Sequence, residues 1–496
     1  MSIAAPHDIS TMSRKADLSN VLLSRHAYVN GQWVDAASGR RIAVHNPSNG
    51  TVIAHVPSLS ADETRSAVAA AQQALPVWRR FLPRDRSDLL MRWYALMLDH
   101  RDELAALMTL EQGKPLADAK GEIDYAANFL RWSAEEANRI YGETIPSHLP
   151  QRKMFVQREP LGVVALVTPW NFPSAMLTRK AGAALAAGCT AVAVPSLQTP
   201  FSALALAALA ERAGIPPGVF SVLTGEPEIV VGELCRNPVV RGLSFTGSTE
   251  IGRLLIAQCA PTVKKLSMEL GGHAPFLVFA DADVETAAKA CADAKFQTGG
   301  QDCLAANRIF VHRSIYEPFV SAVARIAGAL KIGDGFEPDV QIGPLINEAA
   351  VAKSEAHVAD ALARGARLVT GGQRSALGNL FYELTVIADV TFDMRIMHEE
   401  TFGPVAAILP FDDEADVIAL ANATEYGLIA YVFTNDLSRA HRVGDALEYG
   451  MVAINTVRVT GAPIPFGGVK QSGLGREGSR HAIDEYTEMK YICLAI

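Results

Sequence analysis

Between Gly162 and Phe245 the chain repeats one pattern: short β-branched runs at GVVALV, TAVAV, VFSVL and VRGLSF, separated by alanine- and leucine-rich helical stretches. Such an alternation is a βαβ series, which builds a parallel sheet covered by helices. A second series runs from Pro275 to Asn455, with strands expected at PFLVF, RIFVH, PVAAILPF, IAYVFT and MVAIN and helices between them. The chain of 496 residues is too long for one core. Its length suits about three folding units. The expected fold class is α/β, with two parallel-sheet αβα domains.

The remaining segments are smaller. Met1 to Leu23 is polar, mixed in charge and without the apolar core of a secretory signal, and reads as a loose N-terminal arm. Asn30-Gly31 and Asn49-Gly50 break the short alternating runs of Tyr28 to Val56, which is hairpin chemistry. Ser60 and Glu63 have capping-box spacing at the head of an alanine-rich helix around Ala67 to Leu75, and Asp85 to Gly113 carries two more helical patterns. The most apolar window, Ala181 to Pro195, is 15 residues interrupted by Gly188, short of the ~20 that a spanning helix needs. No membrane partner is expected. Nor is nucleic acid, because the net charge of −8 comes from 45 basic and 53 acidic residues without a basic cluster. Six cysteines without a CxxC pair suggest neither a disulfide framework nor a zinc site. No metal is expected, and a reducing, cytoplasmic setting suits these thiols.

One cysteine stands apart. Cys303 lies in KFQTGGQDCLAANR, where Gly299 and Gly300 allow a tight backbone path that no helix or strand interior needs. A turn that presents a thiol beside backbone N–H groups offers a nucleophile and an oxyanion site together. A structural cysteine normally lies in an apolar run, which fits Cys189, Cys235, Cys259, Cys291 and Cys493 better. VALVTPWNFP reads as a buried strand that ends at Pro169 and releases Trp170, Asn171 and Phe172 into a loop, where the Asn171 amide can donate. TVKKLSMELGG is a strand running into a glycine pair, with Glu269 at its end as a candidate base. Blander readings stand beside these: Asn171 as a turn residue, Glu269 as a solvated carboxylate, and Gly247-Ser248 as an ordinary helix cap. No GxGxxG follows any strand, so an ordinary Rossmann fingerprint is absent.

TPWNFP, SFTGSTEIGR, SMELGG, GGQDCLAANR, EETFGP and PFGGVKQSGLGREG occur in this order. Together they resemble the aldehyde dehydrogenase superfamily, most closely its succinate-semialdehyde dehydrogenase branch, over residues 25–496. The resemblance implies an aldehyde dehydrogenase-like fold: a dinucleotide-binding domain of residues 25–138 and 157–268, then a catalytic domain of 269–470. A small oligomerisation flap of 139–156 is joined by the C-terminal segment 471–496, after an N-terminal arm of 1–24. An apolar edge strand such as Lys490 to Ile496 favours a homodimer or homotetramer. The implied activity is NAD- or NADP-dependent oxidation of a small, semialdehyde-like substrate to the acid, through a thiohemiacetal and a thioester on Cys303. Asn171 and the Cys303 backbone N–H would hold the oxyanion, Glu269 would activate the hydrolytic water, and Lys180 looks like the family's cleft lysine unless it is an exposed helix lysine. For the cofactor the resemblance implies Thr168 and Trp170 along the cleft, Gly247 and Ser248 at the pyrophosphate, and Glu400 and Phe402 at the nicotinamide ribose and ring. A free thiol of pKa ~8.5 is only about 3% thiolate at neutral pH, so Cys303 needs help from its setting or from a base.

Departures from the family pattern bear on specificity. The family usually has a lysine where Val194 stands, and its NAD-preferring members a glutamate where Leu197 stands; both bond the adenosine ribose. With both positions apolar, neither NAD nor NADP is favoured by charge. Each missing charged bond costs about 1.5–3 kcal/mol, which predicts weak cofactor binding. The branch usually has arginine at Gln297, paired with the substrate's distal carboxylate, and serine at Thr460. Arg139 resembles the branch's second substrate arginine, and Arg458 replaces the lost charge unless it is a solvated loop residue. Asp302 beside the nucleophile raises the thiol pKa and argues against a strongly anionic site. Ala305 stands where the branch often has a second cysteine, so no disulfide switch at Cys303 is expected. The alternative functions are a cofactor-poor thiol esterase or hydrolase and a non-catalytic structural relative.

Overall fold

The first βαβ series forms an eight-stranded sheet in a computed structural model that describes residues 22–496. Most of the arm read at 1–24 lies outside the described residues, and Leu22 is already fully buried in the first core. The middle of the sheet is parallel, in the order Lys265–Glu269, Val240–Thr246, Val163–Thr168, Thr190–Pro195, Phe220–Val222. Val163–Thr168 and Thr190–Pro195 are buried along their whole length, which is why they read as continuous apolar runs and not as alternating ones. The helices Pro173–Ala187 and Pro200–Ala213 cross between strands, and each begins on a proline whose fixed φ and missing N–H suit a first turn. The hairpin Ala27–Val29 and Gln32–Val34 extends one edge. Gly473–Leu474 closes the other edge, antiparallel to Lys265–Glu269, so this sheet takes in two residues of the segment that the sequence groups with the flap.

The second series forms a seven-stranded sheet, in the order Arg367–Thr370, Thr385–Ala388, Val405–Phe411, Ala306–His312, Ala274–Val278, Ile429–Phe433, Met451–Ile454. Its one antiparallel pairing is at the Arg367–Thr370 edge. Ser60 and Glu63 make a complete capping box at the head of Ala61–Trp78, and Pro83–Asp99 and Arg101–Gln112 are the two helices expected after it. Leu116–Glu136, which packs on Pro173–Ala187, has no counterpart in the sequence reading. The apolar window Ala181 to Pro195 resolves into a helix end, a turn and a strand, and among the described residues no helix is long and apolar enough to cross a membrane.

The flap is a three-stranded antiparallel sheet of Thr487–Ala495, Arg152–Pro160 and Glu143–Ile145. Its C-terminal strand begins at Thr487 rather than Lys490 and exposes Met489, Tyr491 and Leu494. Cys493 is exposed there too, unlike the buried Cys189, Cys235, Cys259 and Cys291. Its apolar run had suggested an interior, but the strand lies in a thin sheet exposed along most of its length.

Candidate active site

The carboxyl ends of the first sheet's strands lie level, because Thr168 is opposite Pro195 and Thr246 is opposite Glu269. In an open α/β sheet that end is where ligands bind. Trp170 and Asn171 follow one of these strands, Gly247 and Ser248 follow another, and Glu269 is the last residue of a third. The second sheet delivers Cys303, from the turn between the helix Val284–Phe296 and the strand Ala306–His312. Two glycines permit the approach. A Cβ at Gly272 would lie 2.3 Å from the Cys303 carbonyl oxygen, and one at Gly300, where φ is +72°, would lie 2.3 Å from the Gly403 carbonyl oxygen.

Cys303 is half-buried, in a turn closed by the Ala305 N–H donating to the Asp302 carbonyl at 3.0 Å. Its own backbone N–H has no acceptor among the described residues. Asn171 is 5% exposed; its side-chain amide donates to the Gln301 backbone carbonyl at 3.1 Å, and its backbone carbonyl accepts from Lys114 Nζ at 2.8 Å. Lys114 is ion-paired with buried Glu122, which also accepts from the Ser174 and Ala175 N–H groups at 3.0 and 3.2 Å and so caps the helix Pro173–Ala187. The Asn171 loop is therefore pinned by an ion pair at its base, and an amide hydrogen remains available.

Glu269 is 2% exposed, and its Oε1 is buried without a hydrogen-bond partner. Burial, reinforced by the charge of Glu477, pushes its carboxyl up to about 8 against the pull of Lys180 and Arg179. The thiol is pushed well above its ordinary range, first by burial and then by the charges of Glu269 and Asp302. Asp302 accepts from the Leu304 N–H at 3.0 Å, and burial raises its carboxyl as well.

Beneath these groups lie two cations. Lys180 is fully buried, pairs with Glu477 and donates to Ser244 Oγ at 3.1 Å. Arg179 is the site residue that sequence reasoning missed. Its Nη2 donates to Tyr125 Oη at 2.6 Å, its guanidinium lies 4.3 Å from the Phe466 ring centre, and Glu477 is 3.6 Å away. Its Nε and Nη1 are buried without a hydrogen-bond acceptor, and its charge bears on Glu269, Cys303 and Asp302. A signal did exist: Arg179 and Lys180 are the only charges in a helix whose every residue is buried.

The substrate residues expected from the sequence are Arg139, Gln297, Arg458 and Thr460. Arg139 pairs with Glu136 at 2.9 Å beside a cavity of about 480 Å³ lined by Tyr141, Arg158 and His481. Gln297 is exposed where its helix ends, and Arg458 and Thr460 are exposed on the loop after Met451–Ile454. None of the four is bonded to Cys303, Asn171 or Glu269.

At the expected cofactor positions, exposed Ser248 caps the helix Thr249–Cys259 by accepting from the Ile251 N–H at 3.3 Å. The Thr249 and Glu250 N–H groups of that first turn remain for an anion. The Gly247 N–H donates to the Glu269 carbonyl at 3.1 Å, which ties this turn to the carboxylate strand. Thr168 and Thr246 carry buried hydroxyls without partners. Trp170 meets Phe402 edge-on at 5.6 Å, and Glu400 accepts from the Gly272 N–H at 2.9 Å, its carboxyl raised by burial to about 7. These groups fit a dinucleotide with its pyrophosphate at the helix end and its nicotinamide portion near Glu400. At the far end Val194 is buried and Leu197 half-buried, and both are apolar. Among the described residues no cluster of His, Cys, Asp and Glu is arranged to hold a metal.

The model of the aldehyde dehydrogenase family matches residues 33–492. The chain is 54% identical to the NADP-dependent succinate-semialdehyde dehydrogenase of Escherichia coli, covering 96% of this chain and 98% of that protein. It is also 54% identical to the glutarate-semialdehyde dehydrogenase of Pseudomonas aeruginosa, covering 95% and 98%. Among solved structures, the crystal structure of an Escherichia coli NADP-dependent enzyme superposes with a TM-score of 0.96 at 54% identity, covering 96% of this chain and 99% of that one.

Proposed function

The chain belongs to the aldehyde dehydrogenase family, whose reaction is NAD(P)-dependent oxidation of an aldehyde to its acid, and from this premise we propose that its substrate is a short semialdehyde with a distal acid group. Arg179 carries this reading. A buried guanidinium with its Nε without a hydrogen-bond acceptor offers a charge-assisted donor and a positive charge to a carboxylate. The names of the two relatives, succinate- and glutarate-semialdehyde dehydrogenase, are those of aldehydes that end in a carboxylate.

Burial keeps the Cys303 thiol protonated at rest, and Glu269, whose charge bears on that thiol, is the acceptor at hand for its proton. The thiolate adds to the aldehyde carbon, and the new oxyanion is received by the Asn171 amide and the Cys303 backbone N–H. The chemistry that a nicotinamide dinucleotide supplies when bound is acceptance of a hydride equivalent. Cys303 then carries the acyl group as a thioester, and Glu269 takes a proton from the water that cleaves it to the acid. Lys180, paired with Glu477, pulls Glu269 toward its ionised form from below. Thr168, Trp170, Gly247, Ser248, Glu400 and Phe402 hold the dinucleotide, while Val194 and Leu197 give charge no say between NAD and NADP. The exposed Met489, Tyr491 and Leu494 edge supports assembly as a homodimer or homotetramer, and the free thiols support a cytoplasmic setting.

The test is steady-state oxidation of acid-tailed and neutral aldehydes of equal length, followed by the absorbance of reduced nicotinamide. Arg179→Met should raise KM for the acid-tailed compounds roughly ten- to hundredfold and spare the neutral ones. A wild type that oxidises both classes equally well would sink the reading.

A further inference from the structure

Asp302 is the ionisable neighbour of the nucleophile that the reaction above does not use. It directly precedes Cys303 in the chain, and the one backbone donor to its carboxylate is the Leu304 N–H on Oδ1 at 3.0 Å. The segment is clamped. Tyr431 Oη donates to the Leu304 carbonyl at 2.9 Å, and the Ala305 N–H returns to the Asp302 carbonyl at 3.0 Å. Asp302 forms no ion pair among the described residues. The cations that bear on it are engaged elsewhere, Lys114 with Glu122 and Arg179 with Tyr125 and Glu477. The residue is half-buried, so an incompletely bonded carboxylate stands beside the nucleophile with part of its surface open.

A carboxylate at that place works against the chemistry. Its charge opposes thiolate formation and repels any acid group of the substrate that comes near the sulfur. Both penalties vanish if the substrate itself brings a hydrogen-bond donor to Asp302 while keeping its acid group away. Resting on the reading of Arg179 as the anchor of the distal acid, we propose that the substrate is a semialdehyde with a donor substituent, an ammonium or a hydroxyl, on the carbons between aldehyde and acid, held by Asp302. A bound donor quenches the Asp302 charge, so Cys303 loses its proton more readily with the right substrate in place than in the empty site. An unsubstituted semialdehyde sets methylenes against the carboxylate and forfeits a charge-assisted bond.

The experiment compares kcat/KM for succinic semialdehyde, aspartate semialdehyde and the hydroxylated four-carbon analogue, in the wild type, Asp302→Thr, Asp302→Asn and Arg179→Met. The wild type should favour a donor-bearing compound by roughly tenfold or more. Asp302→Thr should lose that preference, with kcat/KM for succinic semialdehyde rising as the opposing charge is removed, and Asp302→Asn, which keeps the shape and removes the charge, should lose it for the ammonium compound. Alkylation of Cys303 by iodoacetamide should reach half its maximal rate at a lower pH in both Asp302 variants. Equal wild-type kcat/KM for the three compounds, a preference that survives Asp302→Thr, or an unmoved alkylation profile overturns the proposal. Failure of the underlying reading looks different: Arg179→Met would then affect acid-tailed and neutral aldehydes alike, whatever the Asp302 variants do.

Discussion

At the catalytic end of the cleft the side chains that meet are ionisable and largely buried, namely Cys303, Glu269, Asp302, Arg179, Lys180 and Glu477, whereas at the end proposed for the adenosine Val194 and Leu197 present only hydrocarbon. The difference separates two kinds of design. Where bonds are broken, burial magnifies every charge, so Glu269 is driven up to about 8 and the thiol above its normal range. At Val194 and Leu197, proposed for the cofactor's far end, shape would be left to do the holding, because these side chains give burial no charge to magnify. Substitutions at the first end should therefore be drastic and pH-dependent, and those at the second mild and even favourable.

The largest effect belongs to Cys303→Ala, which should abolish aldehyde oxidation with the melting temperature nearly unchanged, since the side chain is half-buried on a turn. Substantial residual turnover would break the comparison at its stronger end. Next is Glu269→Gln, expected to slow deacylation by about 10²–10⁴ and to show a burst of reduced cofactor followed by a slow steady rate. In the wild type the steady rate should climb as pH rises toward about 8, because the ionised base is the active form, and this limb should vanish in the variant. Stability should move the other way. A carboxyl whose folded pKa is raised loses stability as pH rises from the ordinary carboxylate range to about 8, and Glu269→Gln should remove that decline in thermal melts. A flat activity profile with an unchanged melt would mean that Glu269 does not titrate there.

A smaller pair of effects sharpens the contrast between buried and exposed charge. Arg179→Met should raise KM for acid-tailed aldehydes far more than Arg458→Ala does, because Arg179 is 3% exposed and Arg458 is solvent-screened on its loop. Equal losses would show that the exposed loop contributes as much as the buried wall.

Most of the sheet strands could be read before the structure, because strands buried on both faces, such as Val163–Thr168, leave continuous β-branched runs in the sequence. Cys303 could be read because two glycines with left-handed φ precede it. Arg179 left only the faint signal of a charge in an apolar helix, since its importance comes from partners distant in the chain: Tyr125 on a helix without a counterpart in the sequence reading, Phe466 on a late loop, and Glu477 near the C-terminus. The same holds for Glu122, whose capping of a distant helix beneath Asn171 leaves no local pattern. Cys493 misled for the opposite reason, as an apolar segment whose face no layer covers. Local periodicity thus reports strands and turns, while a buried charge network has to be seen assembled.

The contrast between the two ends is tested most directly by calorimetric titration of NAD and NADP against the wild type and the double variant Val194→Lys, Leu197→Glu. Wild-type affinities should be weak and within about tenfold of each other, since no charge at these positions distinguishes a ribose hydroxyl from a phosphate. The double variant should bind NAD more tightly by up to about 3 kcal/mol, roughly a hundredfold, with no comparable gain for NADP, whose phosphate meets the new carboxylate. Tight and selective binding by the wild type would contradict the account, because some other group would then be holding the adenosine ribose by charge.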